Sequence, residues 1–408
     1  MSHTNKVKMI LKQFHELPKR LMRITSSGRY IAEVDGLRFM AIMPVLIQHL
    51  SERIQRYSSI EWSSPVNEDP VAFLASRGTI GVFIFFAISG FILSLPFAKY
   101  HLQAGNKVKL RSYFWRRITR LEPPYIFWMS VFFLILLMKG GESFSSLFPH
   151  LGASLLYVHN IVFTDYSTIN PVAWSLEIEI QFYLLAPLLA YIFFRWPSVL
   201  LRRSLMVGSI IGMLIAQQHF GWAALPYKLS ILWQLHYFLV GFLITDLFLT
   251  EWKGANKQRG NWIWDIVAPI AFLAMCFSWS TDFDKRMLFS LALLLFMIAG
   301  FRGCLFTAFL RRPWIAVIGG MCYTIYLIHL PLLEGLSRLS TMVHIGNIFS
   351  INLLLQMLLL FPIIFAVASF GFLFIEKPCM DKHWPQKLIA KIKSWSSTST
   401  HLKKIKEQ

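Results

Sequence analysis

The sequence predicts an all-α, polytopic integral membrane protein with about ten transmembrane helices, one re-entrant or interfacial segment, and both termini in the cytoplasm. Three observations carry that expectation. Of the 408 residues, 55% are hydrophobic and only 15% charged, with a mean hydropathy of +0.52, which is too apolar for a soluble chain of this size. Apolar runs of membrane-spanning length recur from end to end. The Lys and Arg residues behind the net charge of +19 fall in clusters between those runs, the pattern of cytoplasmic loops rather than of a nucleic-acid-binding face.

The runs lie near 37–56, 79–98, 123–138, 176–194, 204–220, 230–249, 265–281, 286–301, 314–335 and 351–375. A shorter run, 151–163, is interrupted by His159 and Asn160 and falls short of the roughly 20 residues a span needs. Loop charge orients the set. Basic clusters precede the first run (Lys6 to Arg29), follow the second (Lys99 to Arg120), and recur at Arg195–Arg203, Arg311–Arg312 and from Lys377 onward. All of them reach the cytoplasm only if both termini lie inside and 151–163 does not cross. The expected organisation is a basic N-terminal segment (1–33), one membrane domain (34–378) and a Lys-rich tail (379–408). Cys276, Cys304, Cys322 and Cys379 lie in or beside apolar segments without CxxC spacing, so neither a metal site nor a disulfide framework is expected.

Against this background a few polar residues stand out. Arg38 opens the first span and His49 follows eleven residues later, on the same helical face and about 16 Å further along the axis. Arg38 is either an interfacial anchor or a ligand-binding cation. An ionisable residue at the depth of His49 is costly and points to a site. In FWRRITRLEPPY, Arg116, Arg117 and Arg120 occupy adjacent helical turns before Pro123 and Pro124, where guanidinium forks could grip phosphate oxygens or simply anchor the loop. AWSLEIEIQFYLLAPLL brings Glu177 and Glu179 to the outer end of a span, and CYTIYLIHLPLL raises His329 to the level of His49. Ser89, in GVFIFFAISGFIL of the second span, and Trp174 and Tyr326, in the two segments just quoted, join Glu177 as further candidates. Two histidines and a carboxylate are thus expected to share a cavity in the outer half, with the arginines at a separate inner opening.

These segments together resemble the membrane-bound acyltransferase 3 family. Arg38 and His49 match its Arg–His spacing in the first span. FFAISGF resembles FFxxSGF, FWRRITRLEPPY resembles RRxxRIxPPY, and WSLEIEIQFYLL resembles WSLxxEEQFYLL. YTIYLIHLPL resembles SYxxYLxHWPL, and FIEKP (Phe374 to Pro378) closes the series. The motifs occur in order over about 34–378. The chain departs from the pattern at Glu177, Ile180 and Glu122, which leaves Glu177 beside Glu179 as the functional carboxylate.

The resemblance implies transfer of an acyl group, commonly acetyl, from cytoplasmic acyl-CoA to a hydroxyl of a carbohydrate or glycolipid. The expected setting is the inner membrane, with no bound cofactor and no nucleic-acid partner, and a stand-alone member without a fused SGNH domain. In this reading Arg38, Arg116, Arg117 and Arg120 hold the donor's phosphates. His49, aided by Glu179 and His329, acts as general base or as transient acyl carrier. A transporter or flippase of a glycolipid or polysaccharide intermediate is the alternative. It is disfavoured because the chain lacks the internal repeats or matched broken helices common in such proteins.

Overall fold

The structure is a computed structural model that describes residues 16–24, 30–252, 260–381 and 383–387. Among the described residues every regular element is helical. The chain enters through α1 (Ala32–Tyr57), a short α2 (Pro70–Ala75) and α3 (Ile80–Leu102). It continues through α4 (Leu110–Lys139), then α5 (Phe144–Leu155) and α6 (His159–Val162). Next come α7 (Trp174–Phe194), α8 (Val199–His219), α9 (Ile231–Thr250), α10 (Ile263–Ser278) and α11 (Phe283–Arg302). The last part holds α12 (Leu305–Leu310), α13 (Pro313–Gly320), α14 (Cys322–Ser340) and α15 (Phe349–Gly371), which runs into a π-helical turn at Phe372–Glu376. Among the described residues six helical segments are long and apolar enough to cross a membrane, and a seventh arises if α13 and α14 count as one bent span. Leu184, Leu188, Leu354, Leu358 and Phe370 all stand exposed on α7 and α15, as expected of helices whose outer faces meet lipid.

α1 sits at the centre. It packs against α3, α13, α14 and α15, and buries Val34, Leu37, Ala41, Val45 and Ile54 at helical spacing. Glu33 and Asp35 occupy its first turn and Arg56 its last, each matched to the helix dipole. The polar residues interspersed among these positions keep α1 from passing as a span by composition. Burial, rather than lipid, accommodates them.

Close approach of backbones builds the second contact. A Cβ on Gly90 would meet the Phe238 carbonyl oxygen at 2.1 Å, and one on Gly241 would meet that of Ala87 at 2.1 Å. α3 and α9 therefore cross backbone to backbone through paired glycines, the small-residue packing of membrane helices.

Three boundaries differ from the sequence reading. The 314–335 run is not one straight helix, because it bends by 70° between α13 and α14. At the break a Cβ on Gly319 would meet the Asp35 carbonyl oxygen at 1.7 Å, so α13 turns where its backbone lies on α1. Pro123 and Pro124 do not begin a helix; α4 starts at Leu110 and runs through them, which puts Arg116 to Arg120 on the same rigid rod as the span. The 151–163 run divides at Tyr157, whose φ of 55° breaks the helical path. The twelve residues of α5 rise about 18 Å, too short to cross.

Replacing Gly241 by Leu should wedge α9 away from α3. We expect loss of monodisperse protein in detergent or a Tm well below wild type. A Gly241→Leu protein with wild-type Tm would contradict the crossing described.

Candidate active site

The inner end of α1 is organised around a carboxylate. Asp35 is 1% exposed and accepts from two guanidinium groups: Arg23 Nε on Oδ2 and Arg38 Nη1 on Oδ1, both at 2.8 Å. The Arg38 pair follows from the i,i+3 geometry of one helix. Arg23 comes from the segment ahead of α1, whose Leu21 is buried in the core. Behind them Glu376, in the π-helical turn, accepts from the backbone N–H (3.2 Å) and hydroxyl (2.6 Å) of Thr324.

A cavity of about 620 Å³ opens from this cluster. Its lining includes Arg23, Arg38, Lys99, Arg116, Arg117 and Arg120, and deeper in Ser89, Ser175, Glu179 and Tyr326. Arg117 donates to the Tyr113 carbonyl at 2.9 Å, and its guanidinium lies 3.7 Å from the centroid of the Tyr113 ring; the stacking fixes the direction of its fork. Arg120 Nε has no hydrogen-bond partner among the described residues. Ser89 donates to Glu179 at 2.5 Å. The Tyr326 hydroxyl pairs with Ser175 at 2.7 Å and donates to the Val172 carbonyl at 3.0 Å.

The two histidines meet just beyond this cavity. Their ring centroids lie 5.2 Å apart, and Tyr326 stands 5.6 Å from His329. The buried His329 directs Nδ1 at the Tyr326 carbonyl oxygen, 2.7 Å away. That contact assigns the proton to Nδ1 and leaves Nε2 an acceptor with no partner among the described residues. His49 holds Nδ1 at 3.0 Å from Glu52 Oε2, and its side chain is 21% exposed against 42% for Glu52. Gln48 also donates to Glu52, at 2.9 Å. Around this end lies a rim of charge, in which Arg53 reaches Glu334 at 2.7 Å and Arg338 reaches it at 3.4 Å.

Several sequence expectations therefore change. The histidines do converge, but the carboxylate on His49 is Glu52, one turn along the same helix. Glu179 instead points at Ser89 and shares the cavity with Arg38 and the α4 arginines, so the arginine opening and the carboxylate level form one chamber rather than two. Glu177 is fully buried and accepts the backbone N–H of Asn160 at 2.8 Å, capping the short α6. Trp174 packs edge-on against Phe86 and Tyr166 and lies outside the cavity lining. Sequence reading missed Arg23, Asp35, Glu52 and Glu376. Asp35 and Glu52 each lie three residues from a residue already singled out, so the i,i+3 rule was the available signal. Nothing local in the sequence links Arg23 to Asp35.

Comparison with known proteins gives the family. The family model described as "Acyltransferase domain" (Acyl_transf_3) matches residues 31–375, and the chain belongs to that acyltransferase family. Among curated proteins it is similar to the O-acetyltransferase OatA of Staphylococcus aureus (strain NCTC 8325 / PS 47), 29% identical over 206 residues that cover 48% of this chain and 30% of that protein. It is also similar to the peptidoglycan O-acetyltransferase OatA of Listeria monocytogenes, 27% identical over 197 residues covering 45% and 28%. The matched stretch thus spans less than a third of the length of these relatives. No solved structure matches the chain.

Removing the Asp35 charge as Asp35→Asn leaves two largely buried guanidinium groups facing each other. Breaking a buried pair ordinarily costs about 3–5 kcal/mol, so thermal denaturation in detergent should show a clear loss of stability. An unchanged Tm would mean that Asp35 does not anchor the cluster.

Proposed function

We propose that the protein is a multi-pass O-acyltransferase of the inner membrane, moving an acyl group, with acetyl the first candidate, from cytoplasmic acyl-CoA to a hydroxyl of a carbohydrate-containing acceptor. The observation that carries this reading is a chamber with six basic side chains in its lining, which reaches Tyr326 and, one ring beyond it, the paired histidines. Ten membrane-crossing units, with α13–α14 counted as one and α5–α6 as a non-crossing insert, keep every basic cluster and both termini on the cytoplasmic side. The names of the OatA relatives supply the reaction class, O-acetylation, and in one case the acceptor, peptidoglycan.

Coenzyme A is recognised by its phosphates, and forked guanidinium groups suit them better than ammonium groups do. Arg38, Arg116, Arg117 and Arg120 hold the nucleotide end, so the pantetheine arm extends past Ser89 and Glu179 with the thioester toward Tyr326. The acceptor arrives from the opposite side, where Glu52 is half-buried and Glu334, Arg53 and Arg338 offer hydrogen bonds to sugar hydroxyls. With Nδ1–H held by Glu52, His49 presents Nε2. In direct transfer Nε2 takes the proton of the acceptor hydroxyl as its oxygen bonds to the thioester carbonyl, the C–S bond breaks, and the coenzyme A thiolate recovers a proton. In the two-step variant Nε2 attacks the thioester carbonyl and coenzyme A leaves as thiolate; the acyl-imidazole then passes the acyl group to the acceptor oxygen, whose proton goes to the thiolate. Both routes place positive charge on the imidazole, which Glu52 offsets, in the manner of an oriented base.

Purified protein with solubilised envelope glycans should release free thiol from acetyl-CoA, and His49→Ala should abolish that release while eluting as folded protein. Thiol release at the wild-type rate by His49→Ala, or none by the wild type, would overturn the assignment.

Glu52→Gln should lower kcat by about 10²-fold, the lower end of what an acid–base partner ordinarily contributes. The KM for acetyl-CoA should hold, because Glu52 contacts His49, Gln48 and Arg53 and none of the chamber arginines, and Glu52→Asp should recover part of the rate. A change confined to KM would assign Glu52 to binding instead.

A further inference from the structure

The matched family domain begins at residue 31, yet one cation of the chamber comes from ahead of it. Residues 16–21 form a helical turn that inserts Leu21 into the core at 1% exposure. The backbone carbonyl of Arg20 accepts from Lys377 Nζ, just after the π-helical turn. Two contacts from opposite ends of the chain thus seat this segment against the inner end of the bundle. The seat delivers Arg23, whose Nε pairs with Asp35 while the residue lines the cavity beside Arg38 and Arg120.

The local charge is unbalanced. Asp35 is one carboxylate shared by two guanidinium groups, and the lining as a whole carries six basic side chains against two carboxylates, Glu33 and Glu179. Burial, and after it the neighbouring Arg38 cation, push Arg23 down to about 10, still charged at neutral pH but short of compensating anions. Using Nε on Asp35 leaves the two terminal nitrogens of Arg23 as donors, the edge that forks onto phosphate.

Building on the donor reading above, we propose that residues 16–24, ahead of the family domain, are part of the donor site, and that Arg23 binds the phosphates at the nucleotide end of acyl-CoA. The segment acts as a docked strap across the inner mouth of the chamber. Asp35 holds Arg23 and Arg38 side by side, so one phosphate group meets two forks set by a single carboxylate. The acyl and pantetheine parts of the donor, which carry no phosphate in that region, make no demand on Arg23.

Calorimetric binding to the purified full-length protein tests this without reference to turnover, with coenzyme A, adenosine 3′,5′-bisphosphate and pantetheine as probes. A charge-assisted hydrogen bond contributes about 1.5–3 kcal/mol, so Arg23→Ala should weaken coenzyme A and the bisphosphate by roughly tenfold or more. Arg23→Lys should fall between, and pantetheine should bind all three proteins alike. Arg38 still partners Asp35 in these variants, and a Tm close to wild type for Arg23→Lys keeps the comparison valid if Arg23→Ala is poorly folded. Wild-type protein that does not bind coenzyme A would remove the donor reading itself. Wild-type binding of coenzyme A with unchanged affinity in the Arg23 variants, or an equal loss for pantetheine, would overturn the role of Arg23 and leave the donor reading standing.

Discussion

The inner half of the molecule depends on one carboxylate. A guanidinium group inside a membrane bundle is costly unless its charge is offset, and Asp35 offsets Arg38 and Arg23 together while occupying one nitrogen of each. Its backbone carbonyl is also the surface on which Gly319 rests, so the bend between α13 and α14 is set at the same residue. The geometry links three separate stretches of chain at one point: the N-terminal segment, the start of α1 and the α13–α14 break. Each needs the others. Without α13 against it Asp35 would be exposed to competing solvent, and without Asp35 two cations would repel at the mouth of the cavity.

The opposite end of α1 repeats the device with weaker members. His49 and Glu52 are again an i,i+3 pair, but partly exposed, so the carboxylate is available to orient a titratable ring rather than to neutralise a permanent charge. Both pairs stand on one rod. Eleven residues of one continuous helix put Arg38 and His49 about 16 Å apart along the axis, and His329, the second imidazole, is added from α14 by packing rather than by hydrogen bonding to His49. The bundle around α1 therefore holds an arginine-rich end and an imidazole end at a fixed separation.

How much of this was legible in the sequence follows from the range of the interactions. The helices were readable because apolar runs are local, and the two histidines could be raised to one level because rise per residue is constant. The convergence of His49 and His329 rests on that counting alone. Failures came where the answer depends on which way a side chain faces. Glu179 was matched to His49 by depth, but the twist of α7 turns it toward Ser89 on α3. Glu177, two residues earlier, turns to the other side and caps α6. Pro123 and Pro124 looked like a helix start, yet α4 carries them within a continuous helix, as membrane helices can. Arg23 could not be found at all, because its partner lies twelve residues on, a spacing that no helical periodicity encodes.

The arginines of this protein divide by how completely their donors are used, and the division separates scaffold from site. Arg202 is buried and closed: Nε meets Asp246 at 2.6 Å, and Nη1 donates to the carbonyls of Trp196 and Pro197 at 2.8 and 2.9 Å. Arg203 adds a second cation to the same Asp246 at 3.0 Å, joining α8 to α9 with nothing left to offer a ligand. Arg120 is the reverse case, with Nε unpartnered among the described residues and the residue lining a cavity already rich in cations. Like charges gathered around an open space raise the energy of the empty protein, and only an anion lowers it again. A bundle selected for stability alone would favour arginines closed like Arg202. One that lines a chamber with Arg23, Arg38 and Arg120 gives up stability there, and an anionic ligand is the chemistry that would recover it.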